Sequence, residues 1–288
     1  LEGRRVRIAT EDGERTLTTR LLVVADGMRS ATRDALGIET DERDYDQSAI
    51  IANLRTERPH AGVAYERFTP EGPLALLPAP DNTVSLVWTL PHEAAREVAE
   101  QWSDGAFLAR LQRAFGWRLG RLEAVGERHV YPLAAVTAER FAAERAVVLG
   151  NAAHALHPVA GQGLNLALRD VAALAEALGA DAGVASGDDR GAAADSGGTA
   201  HSGPADAPLD PGDADRLEAY ARSRRSDYRR TFTFTDGLVR VFSNEFLPLV
   251  AARNIGLTAL DLFPPARRLL LKQATGAAGD VPALCRED

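Results

Sequence analysis

Residues 150–165 hold the side chains and spacings best suited to chemistry in this chain. The apolar run 146–149 predicts a short strand that ends at Gly150-Asn151, and a helix is predicted from Gly161 to about residue 178. A helix N-terminus presents free N–H groups and a positive dipole end, which favour bound negative charge. The segment therefore predicts a site for an electron-rich, partly anionic ring. Its candidate contact residues are Gly150, Asn151, His154, Pro158, Gly161, Gln162, Gly163, Leu164 and Asn165.

A second candidate cluster follows the apolar run 21–25. It consists of Asp26, Gly27, Ser30 and Arg33. The planar guanidinium of arginine can bind phosphate oxygens through two hydrogen bonds, so Arg33 is a candidate anion ligand. The competing interpretation is a simple strand-ending turn, because Asp-Gly is a common turn pair.

Simpler explanations also exist for the polar residues of segment 150–165. Asn151 can be an ordinary turn residue, and the glycines can be ordinary loop glycines. His154 and His157 are three residues apart, but no acidic or cysteine ligand accompanies them in the motif, so we predict no metal site. His157 can contact a substrate or tune a proton transfer, and a structural hydrogen bond is an equal alternative. No side chain stands out as an acid–base catalyst, so the catalytic residues stay unassigned.

The elements that would position these clusters begin with a β-hairpin over residues 1–19, with Asp12-Gly13 at its turn. Residues 1–38 and 145–179 are predicted to form one nucleotide-binding unit. Residues 39–144 are predicted to form an antiparallel sheet inserted into that unit on the substrate side. The predicted strands are 49–54, 63–68, 74–77, 84–90 and 129–133, and the predicted helices are 91–101 and 104–115.

The remainder of the chain divides into an insert and a helical region. Residues 180–212 are rich in Gly, Ala, Asp, Ser and Pro, which predicts a disordered linker. Residues 213–288 are predicted to be mostly helical up to about residue 274. A solvated basic helical face is predicted for Arg222, Arg224, Arg225, Arg229 and Arg230, paired with acids such as Asp227. Packing between helices is predicted for Phe242, Phe246, Leu249, Val250 and residues 269–271. The alternative is an amphipathic surface at membrane headgroup level with Arg267, Arg268 and Lys272.

Composition limits the classes of function. The chain has 288 residues, 45% of them hydrophobic, which is enough for a sizeable core. A net charge of −8 argues against a nucleic-acid platform. The single cysteine, Cys285, excludes an intrachain disulfide and is compatible with a reducing compartment. No apolar run reaches the length of a membrane span and no signal peptide is visible, so we predict a cytoplasmic protein.

The two clusters resemble the FAD motifs of the flavin-dependent aromatic hydroxylases with a para-hydroxybenzoate-hydroxylase-like fold. Segment 150–165 is similar to a G-D/N-A-A-H…P…G-x-G-x-N motif, and segment 21–33 to an apolar strand followed by D-G-x-x-S-x-x-R. Four C-terminal sequence segments are similar to sequences of the ubiquinone-biosynthesis branch of that family, namely 224–227, 235–238, 253–257 and 262–267. Within the branch, the likeness is nearest to the 2-polyprenyl-6-methoxyphenol hydroxylases.

This resemblance implies a mixed α/β fold. It consists of a partial FAD-binding Rossmann-like domain, an inserted antiparallel substrate sheet and a C-terminal helical segment. It also implies an FAD-dependent monooxygenase that uses NAD(P)H and O2 to hydroxylate a polyprenyl phenol through a flavin C4a-hydroperoxide. In the family, the aspartate and arginine at positions matching Asp26 and Arg33 lie near the FAD pyrophosphate. Implied partners are the inner face of the cytoplasmic membrane and other ubiquinone-biosynthesis proteins, with no nucleic acid.

Two departures from the family pattern leave alternatives open. Asn151 stands where most relatives carry Asp, which keeps a hydrogen-bond acceptor but removes a charge. No G-x-G-x-x-G motif follows an opening strand, so we expect the chain to be the C-terminal part of a longer reading frame. The alternative functions are a non-catalytic fragment or interaction module that cannot hold FAD alone, and a related flavin-dependent reductase.

Overall fold

The computed structural model of this chain describes residues 3–179, 209–242, 256, 262–274 and 281–285. It opens with the predicted hairpin, in which β1 (Arg4–Thr10) pairs with β2 (Gly13–Thr19) in antiparallel register. Gly13 adopts a φ of +113°, a conformation that favours glycine at the turn. The hairpin prediction is confirmed, and so is the mixed α/β class.

A three-stranded sheet brings the two ends of the predicted nucleotide-binding unit together. In it, β3 (Leu22–Val24) pairs in parallel with β11 (Ala146–Val148), and β10 (Ala142–Ala143) adds an antiparallel strand. The short helix α1 (Ala31–Ala35) follows β3. The division of the chain into domains stays a prediction, although these strands join segments more than a hundred residues apart.

A seven-stranded antiparallel sheet forms the middle of the chain. Its strands are β4 (Thr40–Thr56), β5 (Tyr65–Thr69), β6 (Gly72–Pro78), β7 (Thr83–Pro91), β8 (Leu122–Val125), β9 (His129–Ala138) and β12 (His154–Ala155). The order is β12-β9-β4-β7-β6-β5, and β8 pairs with the end of β4. All five predicted strands lie in this sheet, and β4 is far longer than the run 49–54 that predicted it.

Helices α2 (His92–Glu100) and α3 (Asp104–Phe115) match the two predicted helices and cover one face of this sheet. Side chains on a strand alternate between faces. The face toward the helices carries the largest buried cluster, which includes Leu74 and Leu76 of β6 and Leu86 and Trp88 of β7. The intervening residues of the same strands are left to face the opposite side.

The C-terminal part is helical, as predicted, over the ranges that the structure describes. Helix α4 (Gln162–Ala177) packs against the long helix α5 (Ala214–Phe242), and α6 (Pro264–Ala274) comes later. Within these ranges no helix is long and apolar enough to cross a membrane. Residues 180–208 of the predicted linker lie outside the described residues, as do Phe246, Leu249, Val250 and most of the segment 253–257.

Candidate functional site

The two motifs leave the three-stranded sheet side by side. Val24 of β3 pairs with Val148 of β11, and the N–H of Leu149 donates to the carbonyl of Val24 at 3.1 Å. Parallel strands end at the same edge of a sheet, where α/β proteins bind their ligands. The two predicted clusters therefore begin at neighbouring positions on one edge.

The loop after β3 holds an exposed carboxylate in an ordered turn. Asp26 accepts the N–H of Thr32 at 3.3 Å, and Gly27 has a φ of +94°. Burial raises the pKa of Asp26 slightly, but hydrogen bonds from Ser30 and Thr32 outweigh it, so the pKa lies below its ordinary value. Because this pKa is low, Asp26 is ionised at neutral pH. Ser30 also caps α1 by accepting the N–H of Arg33 at 2.9 Å.

Arg33 joins the two motifs to each other. Its side chain is buried, and the guanidinium donates to the carbonyls of Met28 at 3.0 Å and Ala152 at 3.1 Å. It also pairs with the carboxylate of Asp34 at 3.1 Å. The expected role of Arg33 as a phosphate ligand stays a prediction, and the geometry shows a cross-link between the loop after β3 and the turn after β11.

The second motif begins with a backbone conformation that requires glycine. Gly150 has a φ of +58°, and its N–H donates to Oδ2 of Asp170 at 2.9 Å. The next residue, Asn151, is exposed at the end of β11, where its amide can meet a ligand. Ala152 and Ala153 are buried in the core beneath.

His154 lies in that core and not on the exposed edge. Its Nε2 donates to Oδ2 of Asp170 at 2.6 Å, because a carboxylate can only accept. Its ring stacks on Tyr228 with centroids 5.6 Å apart. Direct contact of His154 with a cofactor stays a prediction, while the structure shows it holding the turn in place.

A buried ion network lies behind the motif, and sequence reasoning missed it. Arg224 was predicted on a solvated basic face, but it is 1% exposed and donates Nε to Oδ1 of Asp170 at 2.7 Å. It also donates to Asp227, which pairs with Arg169 at 3.1 Å. The prediction of a wholly solvated face is therefore wrong at Arg224, whereas Arg222, Arg225 and Arg229 are exposed. The missed signal was the charged pair Arg169-Asp170 on the core-facing side of α4.

In this network, the carboxylate of Asp170 and the guanidinium of Arg224 each stabilise the charged form of the other. Burial raises the pKa of Asp170, but hydrogen bonds from His154 and Arg224 together with their charges outweigh it, and the pKa lies below its ordinary value. Burial lowers the pKa of Arg224, while Asp170 and Asp227 raise it above the ordinary value. Both groups are therefore charged at neutral pH, as a buried ion pair with good hydrogen bonds requires.

His157 is a buried, neutral imidazole directly before the Pro158 turn. Its Nδ1 accepts the N–H of Val159 at 3.2 Å, so the ring proton lies on Nε2. Burial lowers the pKa of His157 to about 4, against a smaller raising effect of Asp236. Its ring meets Tyr45 edge to face, with centroids 5.0 Å apart. Burial, followed by the charge of Asp236, raises the pKa of Tyr45 to about 12.

A cavity of about 540 Å³ lies between the large sheet and the second motif. Pro158, Val159 and Gly161 form one wall. The other wall consists of Ala64 just before β5 and Tyr65 at its start, together with residues on the sheet face opposite α2 and α3, namely Glu66, Pro73, Ala75, Leu77, Val87 and Thr89. The lining is mainly apolar, so the cavity suits a flat organic ring.

The N-terminus of α4 is open toward a ligand. No side chain caps it, no acidic residue stands in its first turn, and Gly161 adopts a φ of +60°. A Cβ added at Gly161 or Gly163 would meet no atom within 4 Å. Leu164 is exposed, Asn165 is half-buried and Gln162 is buried. The site thus presents a helix N-terminus without a side-chain cap beside free space.

Three comparisons bear on this site. The family model described as "FAD binding domain" matches residues 3–192. The chain is 39% identical over 271 residues to the ubiquinone hydroxylase UbiL of Rhodospirillum rubrum, covering 94% of this chain and 57% of that protein. It is 31% identical over 304 residues to the human mitochondrial ubiquinone biosynthesis monooxygenase COQ6, covering 94% of this chain and 60% of that protein.

Solved structures share the fold at lower sequence identity. The p-nitrophenol 4-monooxygenase PnpA of Pseudomonas putida matches with a TM-score of 0.67 and 17% identity, over 95% of this chain and 64% of that one. This likeness concerns the fold alone. The chain spans about three fifths of the length of these relatives.

Proposed function

Because this chain belongs to the family of FAD binding domains, we propose that it acts in an FAD-dependent aromatic-ring monooxygenase of ubiquinone biosynthesis. NAD(P)H and O2 are the proposed co-substrates, and a polyprenyl phenol is the proposed substrate. The observation that carries the proposal is the meeting of two distant motifs at one sheet edge, beside an apolar cavity. The similarity to UbiL and COQ6 supports the assignment to ubiquinone biosynthesis.

The residues at the site fit FAD. The open space at Gly161 and Gly163 accepts a flat ring close to the backbone, and the uncapped amides of α4 favour its anionic edge. Asn151 would bond a ribityl hydroxyl from its exposed position after β11. Asp26 and Gly27 lie on the same edge and would face the more polar part of the cofactor. When bound, FAD would supply hydride acceptance and oxygen activation.

The chain itself would contribute placement and electrostatics. The N–H groups at the start of α4 would favour the partly anionic edge of a bound flavin ring. The wall at Pro158 and Val159 and the mainly apolar residues opposite would limit the access of water to a bound ring. An electron-rich phenol needs no strong nucleophile, and we assign no catalytic acid or base to the chain.

We further propose that the protein touches a membrane surface to reach its lipid-like substrate. Leu262, Phe263 and Leu271 are exposed around α6, next to the exposed cations Arg267 and Arg268. Exposed apolar side chains flanked by cations are typical of helices that lie at the headgroup level. Flotation with anionic vesicles should carry the protein upward, and Phe263→Asp should reduce that fraction while Leu17→Asp, on the exposed hairpin, should not. Association with other ubiquinone-biosynthesis proteins stays a prediction.

The deciding experiment is a coupled assay with the longest open reading frame that contains this chain. We expect retained FAD, NAD(P)H oxidation stimulated by a polyprenyl phenol, and a product heavier by one oxygen atom. NAD(P)H oxidation without oxygen insertion would favour the reductase alternative. A folded protein that retains no FAD would favour the non-catalytic alternative.

A further inference from the structure

One buried carboxylate connects three separate segments around the cofactor motif. Asp170 of α4 accepts the Gly150 N–H at 2.9 Å and His154 Nε2 at 2.6 Å, both on Oδ2, and Arg224 Nε at 2.7 Å on Oδ1. Gly150 and His154 belong to the turn after β11, and Arg224 belongs to α5. The carboxylate is 2% exposed, so water cannot replace these hydrogen bonds.

The other hydrogen bonds that tie the turn to the rest of the fold act on its later residues, since Arg33 donates to the carbonyl of Ala152 and Ala138 donates to the carbonyl of Ala153. Strand β12 has two residues, His154 and Ala155, which pair with β9 of the large sheet. Gly150 is buried in a left-handed conformation, and without Asp170 its N–H would lose its hydrogen-bond acceptor. A buried donor without an acceptor costs about 1–3 kcal/mol. The native conformation of the turn therefore depends on an acceptor at Oδ2.

We infer that Asp170 is the positioning residue of the cofactor motif, holding the turn so that Asn151 and the start of α4 face FAD together. The inference rests on the proposed FAD site. Asp170 therefore does more than balance charge. By fixing the backbone at Gly150, it sets the direction in which the side chain of Asn151 points. Arg224 supports it from α5 by neutralising the carboxylate.

Two double variants separate positioning from charge balance. Asp170→Asn with Arg224→Met and Asp170→Leu with Arg224→Met remove the same two charges and have side chains of similar size at position 170. Asn retains an oxygen that can accept from Gly150 and His154, whereas Leu retains none. Asp227 keeps its ion pair with Arg169 in both variants.

The measurements are FAD dissociation constants from flavin fluorescence and urea unfolding midpoints without FAD, made on the longest open reading frame. We expect the Asn variant to bind FAD within about threefold of the unmodified protein and the Leu variant at least about tenfold more weakly. This corresponds to a loss of about 1.4 kcal/mol or more. Equal affinities in the two variants would overturn the inference.

Hydrogen exchange of the Gly150 amide without FAD provides a second, cofactor-independent test. We expect faster exchange in the Leu variant than in the Asn variant, and equal rates would again contradict positioning through Asp170. If the unmodified protein fails to bind FAD, the proposed function fails, while the exchange contrast still tests the tether. The two failures are therefore distinguishable.

Discussion

Lowering the pH from 7 to 5 is expected to destabilise the fold through His157. The ring is 1% exposed and its pKa lies at about 4, whereas an unfolded histidine has a pKa near about 6.5. His157 binds a proton less readily in the folded state than in the unfolded state. The stabilisation contributed by the neutral ring is therefore present above the unfolded pKa and is lost as the pH falls toward 4. Proton linkage between these two pKa values gives a loss of about 2 kcal/mol between pH 7 and pH 5.

The assay is urea unfolding at pH 7, 6 and 5 for the unmodified protein and for His157→Asn. Asn places an oxygen near the position of Nδ1, so it can still accept the Val159 N–H, but it does not titrate. We expect the variant to be less stable at pH 7 because the ring contact with Tyr45 is lost, and to lose about 2 kcal/mol less on acidification. His129→Gln, at an exposed histidine, is the matched control and should keep the full pH dependence. An unchanged pH dependence in His157→Asn would refute the reasoning that the buried ring is neutral.

The remaining predictions concern the site and the core. Gly163→Val should weaken FAD retention at least about tenfold with little change in unfolding midpoint, because a Cβ there meets open space; unchanged FAD retention and activity would contradict the placement of the ring. Ala75→Phe should fill part of the 540 Å³ cavity, raising KM for the phenol while FAD stays bound; a KM equal to that of the unmodified protein would show that the substrate binds elsewhere. Asp227→Asn should lower stability by about 3 kcal/mol in urea unfolding, because Arg169 and Arg224 lose a buried partner, yet leave FAD affinity nearly unchanged.

Local signals in the sequence were sufficient for the hairpin, α2, α3 and the starts of both motifs. Each of these depends on neighbouring residues, such as the Asp12-Gly13 turn or the apolar period of a helix. The full length of β4 was not predictable, because residues 40–48 are mostly polar and their pairing with β9 is a long-range interaction. Strand β12 was missed for a related reason, since two residues carry no periodicity.

The candidate site shows the same division between local and long-range information. Contact of the motif residues with a cofactor stays a prediction. They were recognisable as candidates because glycine, asparagine and proline favour turns and strand ends. The buried position of Arg224 was not, since a helix with many arginines looks solvated until the acids that face it are known. Asp170 lies on α4 and Asp227 one turn from Arg224 on α5, and only the packing of the two helices brings them together.

Side chains on the strands of the large sheet alternate between the core, which stabilises the fold, and the cavity, whose shape would select a ligand. On β6, Leu74 and Leu76 are fully buried in the core beneath α2 and α3, while Pro73, Ala75 and Leu77 line the cavity. Replacing Leu76 with Ala would remove core contacts and typically costs about 2–5 kcal/mol. Replacing Ala75 changes the shape of the cavity and leaves that core intact. Because both faces belong to the same strand, the core fixes the position of the cavity wall, and residues at alternate positions can adapt it to a different ring.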